Sequence, residues 1–258
     1  MAAYVQDVFM LFGDSITQGG WEPDRNGFGQ RLSHVYARKL DVLNRGLSGY
    51  NTEWGIPVFE QCIAKSRDTF APKVRMLVIW FGANDACILP SPQHVPLPKF
   101  SANLKHMVSL IKSPTSQYYS PSTRIILISP PPVNTLVRRA DLEARNPPLK
   151  LDREFEVTRA YAEAAQKVAK EEGVGYVDVW TALWEAAGKE EKGLEKVLSD
   201  GLHLNAEGYR VLYDELMTTI EKDYPELHYD NLKPVFPPWN EIDWDNPGNL
   251  SQFAKREA

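Results

Sequence analysis

The sequence predicts an α/β fold in which helices cover both faces of a parallel β-sheet. Short apolar runs alternate along the chain with segments whose apolar residues recur at helical spacing, and this alternation is typical of parallel sheets with crossover helices. The runs at 76–81 and 124–128 are almost continuously apolar, as expected for strands buried on both faces. With 258 residues, of which 43% are hydrophobic, the chain can bury a sizeable core within one large domain.

The alternation of apolar runs with segments of helical period predicts the position of each strand and helix. Segments with the length and composition of strands lie at 8–12, 42–44, 76–81, 124–128 and 175–179. Segments with the helical period lie between and after them, at 28–40, 53–66, 99–112, 151–172 and 206–222. The fourth helix is followed by Gly173, at a position where a glycine commonly ends a helix.

Two proline-rich loops, 86–98 and 129–148, follow the carboxyl ends of the third and fourth predicted strands. Their prolines predict irregular structure. Functional loops of such sheets lie at this edge. The two loops therefore either wall a pocket or serve as rigid connections.

The composition of the chain argues against two classes of binding partner. The formal net charge is −5 and no dense cluster of Lys and Arg occurs, which argues against nucleic acid and anionic membranes as main partners. The two cysteines, Cys62 and Cys87, make no disulfide framework and fit a reducing compartment. No signal peptide, membrane span or C-terminal address signal is recognisable, so we expect a cytoplasmic protein.

Neither a metal nor a cofactor is expected. The five histidines are scattered and the two cysteines lie far apart, so no cluster has metal-ligand spacing. No phosphate-binding loop or dinucleotide fingerprint is present. The chemistry must then come from side chains.

The last part of the chain, 225–258, differs in character from the predicted domain at 1–224. Prolines interleave there with aromatic residues, among them Tyr229, Trp239 and Trp244. Proline disfavours helix and sheet interiors, yet the aromatic content is too high for a solvated tail. We expect an extended arm, not a separate domain, packed on its own domain or on a neighbouring subunit. We therefore hypothesise a homodimer formed through the arm.

A candidate nucleophile follows the first predicted strand. The strand breaks at Gly13 and presents Ser15 after Asp14. Ligands of open α/β sheets bind at the carboxyl ends of the strands, which is where this hydroxyl would lie. Gly-Asp-Ser alone also fits an ordinary turn, so the serine needs partners.

The partners are found near the end of the domain. Asp200 and His203 precede the last helix, for which Asn205 is a natural N-cap. Because they are three residues apart on a glycine-containing loop, the carboxylate can reach the imidazole and orient it. A hydroxyl that loses its proton to His203 would complete a triad, and Ser15 is the obvious donor.

Acyl transfer also needs donors for the developing oxyanion. Asn84 follows the third predicted strand and Gly49 follows the second. Their amide and backbone N–H groups, together with the Ser15 backbone N–H, are three candidate donors from three strand ends.

Four blocks of the chain together resemble those of GDSL/SGNH-type serine hydrolases: Gly13-Asp14-Ser15, Gly49, Gly82-Ala83-Asn84-Asp85 and Asp200-Gly201-Leu202-His203. The resemblance covers residues 8 to 222, with Ile16 in place of the leucine of the first block. It implies a three-layer, flavodoxin-like fold with a five-stranded sheet of order 2-1-3-4-5. It also implies Ser15 as nucleophile, His203 as base and Asp200 as its orienter. The oxyanion hole would be formed by Ser15, Gly49 and Asn84.

Within that family, segments 12–18, 44–52, 81–86 and 200–209 and the C-terminal arm are similar to the isoamyl acetate-hydrolysing esterase group. That group implies short-chain acetate esters as small-molecule substrates. Trp21 and Trp80 are candidates for an apolar substrate pocket, although either could belong to the core.

Three other interpretations stay open. A carbohydrate O-acetylesterase and a lysophospholipase or thioesterase would keep the chemistry and change the substrate. A non-catalytic binding module would keep only the fold, but the presence of Ser15, Asn84, Asp200 and His203 argues against it.

Overall fold

The computed structural model describes residues 5–253, in which five parallel strands form one sheet of order β2-β1-β3-β4-β5. The predicted fold class and strand order are thereby confirmed. The strands are β1 (Asp7–Gly13), β2 (Leu40–Gly46), β3 (Val74–Trp80), β4 (Arg124–Ile128) and β5 (Gly175–Val177). β1 is buried along its whole length because it is paired on both edges, by β2 and β3.

Within residues 5–253, eight α-helices connect and follow the strands, together with several short 3₁₀ turns. They are α1 (Ser15–Gln18), α2 (Phe28–Val35), α3 (Thr52–Cys62), α4 (Leu97–Lys112), α5 (Thr135–Glu143), α6 (Phe155–Glu172), α7 (Val179–Ala186) and α8 (Ala206–Asp223). Asn51, Asn134, Asp178 and Asn205 cap four of these helices by accepting hydrogen bonds from first-turn N–H groups. Gly173 ends α6 with φ +60°, as its position in the sequence predicted.

The helices form layers on both faces of the sheet. Alternation along β1 directs Phe9 and Leu11 into a core shared with α2, α7 and α8. Met10 and Phe12 point to the other face, where they pack with residues of α3, α4 and α6. The sheet is thus covered on both sides, which explains why its central strands are apolar throughout.

Three helices were not predicted: the single turn α1 after β1, α5 and α7. α5 lies inside the loop 129–148, which was expected to be irregular: the three prolines stop before Asn134, which then caps a helix of nine residues. The fifth strand was expected to continue to residue 179, but it ends at Val177 because Asp178 caps α7. Local apolar content could not separate the end of the strand from the start of the helix.

Three helix boundaries were also predicted wrongly, two of them ends placed too late and one a start placed too early. The helix predicted at 28–40 ends at Val35, since Arg38 adopts a left-handed φ of +68° before β2 begins. The helix predicted at 53–66 ends at Cys62. The helix predicted at 151–172 begins only at Phe155, so the polar residues before it lie in a loop.

The first part of the C-terminal arm packs on its own chain. Leu227 is buried in the core, and its carbonyl accepts a hydrogen bond of 2.9 Å from the Tyr36 hydroxyl. Arg38 Nη2 donates to the carbonyls of Phe236 and Pro237 at 2.9 and 2.8 Å. Arg38 precedes the amino end of β2, so this part of the arm lies at the end of the sheet opposite to the one where Ser15 begins α1.

The later part of the arm exposes aromatic surface. Trp239 and Trp244 are each 72% exposed, and their rings stack with centroids 6.2 Å apart. Among residues 5–253, none of the helices is both long and apolar enough to cross a bilayer.

Candidate active site

Ser15 begins α1 directly after β1. The Asp14 carboxylate caps this helix by accepting a hydrogen bond from Ile16 N–H at 2.9 Å. Burial raises the pKa of Asp14 to about 6, against the hydrogen bond from Ile16 and the positive charges of His203 and Arg153. Gly13 has no room for a side chain, since a Cβ there would lie 2.4 Å from the carbonyl oxygen of Trp80. The turn that presents the serine is therefore tightly packed.

Asp200 and His203 lie in the loop before α8 and face Ser15. The Ser15 Oγ and His203 Nε2 atoms are 2.9 Å apart, and His203 Nδ1 is 2.7 Å from Asp200 Oδ2. Gly201, between them, has φ +81°, and a Cβ there would lie 2.5 Å from the backbone nitrogen of Arg138. The three predicted residues thus form one hydrogen-bonded row.

The Asp200 carboxylate is held in its ionised form. Oδ1 accepts hydrogen bonds from the backbone N–H groups of Leu202 and His203 at 3.0 and 2.8 Å. Burial opposes ionisation, but the hydrogen bond from the His203 ring, the charge of that ring and the two backbone donors hold the pKa of Asp200 well below its ordinary value. A carboxylate in this state can orient the ring and stabilise its protonated form.

Gly49 and Asn84 lie in neighbouring loops that contact each other. Asn84 Nδ2 donates to the Tyr50 carbonyl at 2.7 Å. Gln93 Nε2 donates to the Gly49 carbonyl at 2.8 Å and lies 3.3 Å from Asn84 Oδ1. Gly49 adopts φ +80°, which favours glycine. Gln93 belongs to the loop 86–98, so this loop braces the two candidate oxyanion donors.

The turn that carries Gly49 also contacts the start of α1. Leu47 N–H donates to the Gly13 carbonyl at 2.8 Å, and Ser48 N–H donates to Gln18 Oε1 at 3.0 Å. The loops that follow β1, β2 and β3 therefore meet at one edge of the sheet, as the strand order requires.

Comparison with a family profile and with known relatives identifies the family of this chain. The profile of the GDSL-like Lipase/Acylhydrolase family matches residues 11–211. The chain belongs to this family. It is 35% identical over 235 residues to the isoamyl acetate-hydrolyzing esterase 1 homolog of Bos taurus, covering 90% of this chain and 87% of that protein. It is 34% identical over 244 residues to the isoamyl acetate-hydrolyzing esterase of Saccharomyces cerevisiae, covering 91% and 94% of the two chains.

The fold has solved counterparts in the same family. A lipase/acylhydrolase from Enterococcus faecalis superposes with a TM-score of 0.58 at 25% identity, covering 88% of this chain and 98% of that one. This GDSL-like protein is accordingly a carboxylic ester hydrolase.

The two tryptophans suggested for a pocket differ in their burial. Trp80 is 2% exposed and packs edge-to-face on Phe28 in the core, with Nε1 donating to the Ser129 carbonyl at 2.8 Å. Trp21 is half-buried and packs against the same core, close to Gly29. Trp80 is therefore a core residue, because its position at the end of β3 directs its ring inward.

The GDSL-like site also contains charged residues that sequence reasoning missed. Arg153 is 2% exposed and lies 2.8 Å from Asn84 Oδ1. Arg138 is 3.3 Å from Asp200 Oδ2. No motif marks either arginine. Arg138 was expected in an irregular loop, whereas Arg153 was placed within the predicted helix 151–172.

No metal centre is found within residues 5–253: no group of three or more His, Cys, Asp and Glu side chains there is arranged to hold an ion.

Asp85, next to Asn84, braces the start of α3. Oδ1 accepts hydrogen bonds from Thr52 N–H at 3.0 Å and from Thr52 Oγ1 at 2.5 Å. Oδ2 is buried without a hydrogen-bond partner in the described part of the chain. Burial raises the pKa of Asp85 to about 7, although the hydrogen bonds from Thr52 lower it. The folded protein thus keeps this carboxyl protonated where the unfolded chain has already ionised it.

This difference predicts a pH-dependent effect of Asp85→Asn. As the pH rises from 4 to 8, the wild type loses stability because its unfolded chain releases the Asp85 proton first, and the amide variant is spared that loss. The free energy of unfolding of the variant relative to wild type should increase by on the order of 4 kcal/mol across this range. Urea unfolding at the two pH values measures it.

The exposed Asp24→Asn is the matched control, and its difference from wild type should change little. A difference for Asp85→Asn that is equal at pH 4 and pH 8 would contradict the assignment of a protonated Asp85.

Proposed function

We propose that this GDSL-like protein hydrolyses short-chain carboxylic esters through a triad of Ser15, His203 and Asp200. The proposal rests chiefly on the continuous row in which Ser15 Oγ lies 2.9 Å from His203 Nε2 and His203 Nδ1 lies 2.7 Å from Asp200 Oδ2. Both spacings are within the range needed for proton transfer and for orientation of the ring.

In the first half of the reaction, Ser15 Oγ attacks the ester carbonyl carbon while His203 Nε2 takes the hydroxyl proton. The carbonyl oxygen becomes an oxyanion in a tetrahedral intermediate. When the intermediate collapses, the bond to the alcohol oxygen breaks and His203 returns the proton to that oxygen. The alcohol leaves and an acyl-Ser15 ester remains.

The oxyanion is stabilised by three donors: the backbone N–H groups of Ser15 and Gly49 and the side-chain amide of Asn84. Within residues 5–253, neither backbone N–H group donates a hydrogen bond to the protein. Asn84 uses one amide hydrogen for the Tyr50 carbonyl, which leaves the other for the oxyanion.

In the second half, His203 removes a proton from water, and the resulting hydroxide attacks the acyl carbonyl. The Ser15 oxygen leaves, takes the proton back from His203 and releases the carboxylic acid. Asp200 stays ionised throughout and stabilises the ring each time it carries the proton.

Short acyl groups are proposed because two relatives that match about nine-tenths of the chain carry the name isoamyl acetate-hydrolyzing esterase. The substrate would then be a small acetate ester of an apolar alcohol. Neither nucleic acid nor a metal enters this scheme.

The mechanism predicts that Ser15→Ala abolishes turnover of p-nitrophenyl acetate, since no other group can form the acyl intermediate. A loss of at least about 1,000-fold in kcat is expected. Ser33→Ala is the matched control, because the Ser33 hydroxyl only donates to the Gly29 carbonyl within α2. Wild-type activity in Ser15→Ala, with Ser33→Ala also active, would overturn the mechanism.

The substrate assignment predicts a falling kcat/KM from acetate to butyrate to decanoate among p-nitrophenyl esters. A long acyl chain needs a deep apolar channel, and one of the two pocket candidates, Trp80, is buried in the core. A kcat/KM that rises with acyl length would instead indicate a lysophospholipase or thioesterase. High activity confined to acetylated sugars would indicate a carbohydrate O-acetylesterase.

We also propose that a second copy of the chain covers the stacked Trp239 and Trp244, because exposed aromatic pairs usually mark an interface. Light scattering should give twice the chain mass of 29.3 kDa for wild type and the single mass for Trp239→Ser/Trp244→Ser. These substitutions spare Leu227, which belongs to the core. Phe70→Ser, at another exposed aromatic residue, should stay dimeric. A monomeric wild type would refute the proposal.

A further inference from the structure

A row of charged side chains runs from the candidate oxyanion donor to the candidate triad acid. Arg153 contacts Asn84, Asp152 lies between Arg153 and Arg138, and Arg138 contacts Asp200. The side chains of the two arginines are only 2% and 6% exposed. The row therefore belongs to the protein interior and is not a set of surface ion pairs.

At one end, Arg153 sets the orientation of the Asn84 amide. Its Nη2 donates to Asn84 Oδ1 at 2.8 Å, and its Nε donates to the Ala83 carbonyl at 2.6 Å. Because an arginine offers only donors, the side it contacts must be the amide oxygen. Asn84 Nδ2 is then directed to the opposite side, where one hydrogen meets the Tyr50 carbonyl and the other is free.

In the middle, Asp152 is shared by both arginines. Its two oxygens accept from Arg138 Nε and Nη2 at 3.2 and 3.1 Å, a bidentate pair. Oδ2 also accepts from Arg153 Nη1 at 2.6 Å. Burial opposes ionisation of Asp152, but its hydrogen bond from Arg138 and the charge of Arg153 lower its pKa. A fixed negative charge thus holds two buried guanidinium groups.

At the other end, Arg138 shares an oxygen with the catalytic ring. Arg138 Nη1 is 3.3 Å from Asp200 Oδ2, the same atom that accepts from His203 Nδ1. The remaining neighbour of Arg138 is Asp141, whose Oδ2 lies 3.4 Å from Nη1. Arg138 therefore fixes the position of the carboxylate and offsets part of its negative charge.

We propose that Arg138, Asp152 and Arg153 are positioning residues that couple the oxyanion donor Asn84 to the triad acid Asp200. The inference rests on the roles given above to Asn84, Asp200 and His203. None of the three touches the reacting atoms. Their effect is to hold, through one rigid ionic row, two groups whose misplacement by even about 1 Å would cost roughly 100-fold in rate.

The test compares Arg138→Gln, Arg138→Lys and wild type with p-nitrophenyl acetate. For Arg138→Gln we expect a kcat about 10- to 100-fold lower and a KM within about twofold of wild type. Arg138→Lys keeps the charge and loses the bidentate geometry, so its kcat should also fall, with KM again near the wild-type value. The burst of p-nitrophenol counts the competent sites in each preparation.

The matched control is Arg145→Gln, which removes an exposed guanidinium that pairs with the same Asp141 at 2.6 Å. It should behave as wild type. An unchanged kcat in Arg138→Gln would overturn the proposal, as would an equal loss in Arg145→Gln. Should Arg138→Gln fail to fold, wild-type kcat in Arg138→Lys would overturn it as well.

Coupling itself is measured by combining Arg138→Gln with Asn84→Ala. If the row joins the two ends, Arg138→Gln should cost at least about threefold less in kcat when Asn84 is already absent. Strict additivity would refute coupling while leaving the triad intact. The failure of the mechanism is seen separately, since only that failure would leave Ser15→Ala active.

Discussion

The parallel pairing of β1 with both of its neighbours is the constraint on which the candidate site depends. Gly13, the last residue of β1, is in register with Gly46 of β2 and Trp80 of β3. Three loops consequently leave the sheet at the same edge, and each brings one element of the site. The close packing of Gly13 against the Trp80 carbonyl shows how little freedom the turn before Ser15 has.

Two carboxyl groups in this part of the fold, Asp200 and Asp85, differ in charge because they accept different numbers of hydrogen bonds. Asp85 is fully buried and the Asp200 side chain is 23% exposed, and for both groups burial by itself favours the protonated carboxyl. Asp200 accepts from the His203 ring, from two backbone N–H groups and from Arg138, and stays ionised. Asp85 accepts from Thr52 with one oxygen, and its other oxygen has no hydrogen-bond partner among residues 5–253. Several donors therefore keep the partly buried candidate triad acid ionised, whereas the fully buried Asp85, with fewer donors, stays protonated.

The two ends of the sheet carry different parts of the chain. Its carboxyl end carries the loops with Ser15, Gly49 and Asn84, whereas the C-terminal arm packs beside Arg38 near the amino end of β2. Esterase chemistry and any association through Trp239 and Trp244 are thus spatially separate. A homodimer formed there would leave the serine accessible.

Features that depend on residues close together in the sequence could be predicted, whereas features that depend on residues far apart along the chain could not. Strands and most helices follow from local apolar periodicity and capping residues, and the four blocks of the family are short. Asp200 and His203 could be paired because they are three residues apart, and Ser15 was found through its strand and its glycine. α5 and α7 were missed because a proline run and an apolar strand end obscured their caps.

The sequence by itself thus determined the fold class, the strand order implied by the family resemblance and the residues that meet at the carboxyl edge. Only the tertiary structure decided that Trp80 packs in the core and that Arg153 and Arg138 hold Asn84 and Asp200. Arg153 lies 69 residues from Asn84 along the chain, and Arg138 lies 62 from Asp200. No local pattern encodes such pairs, because an arginine that is buried and paired has the same sequence context as one that is solvated.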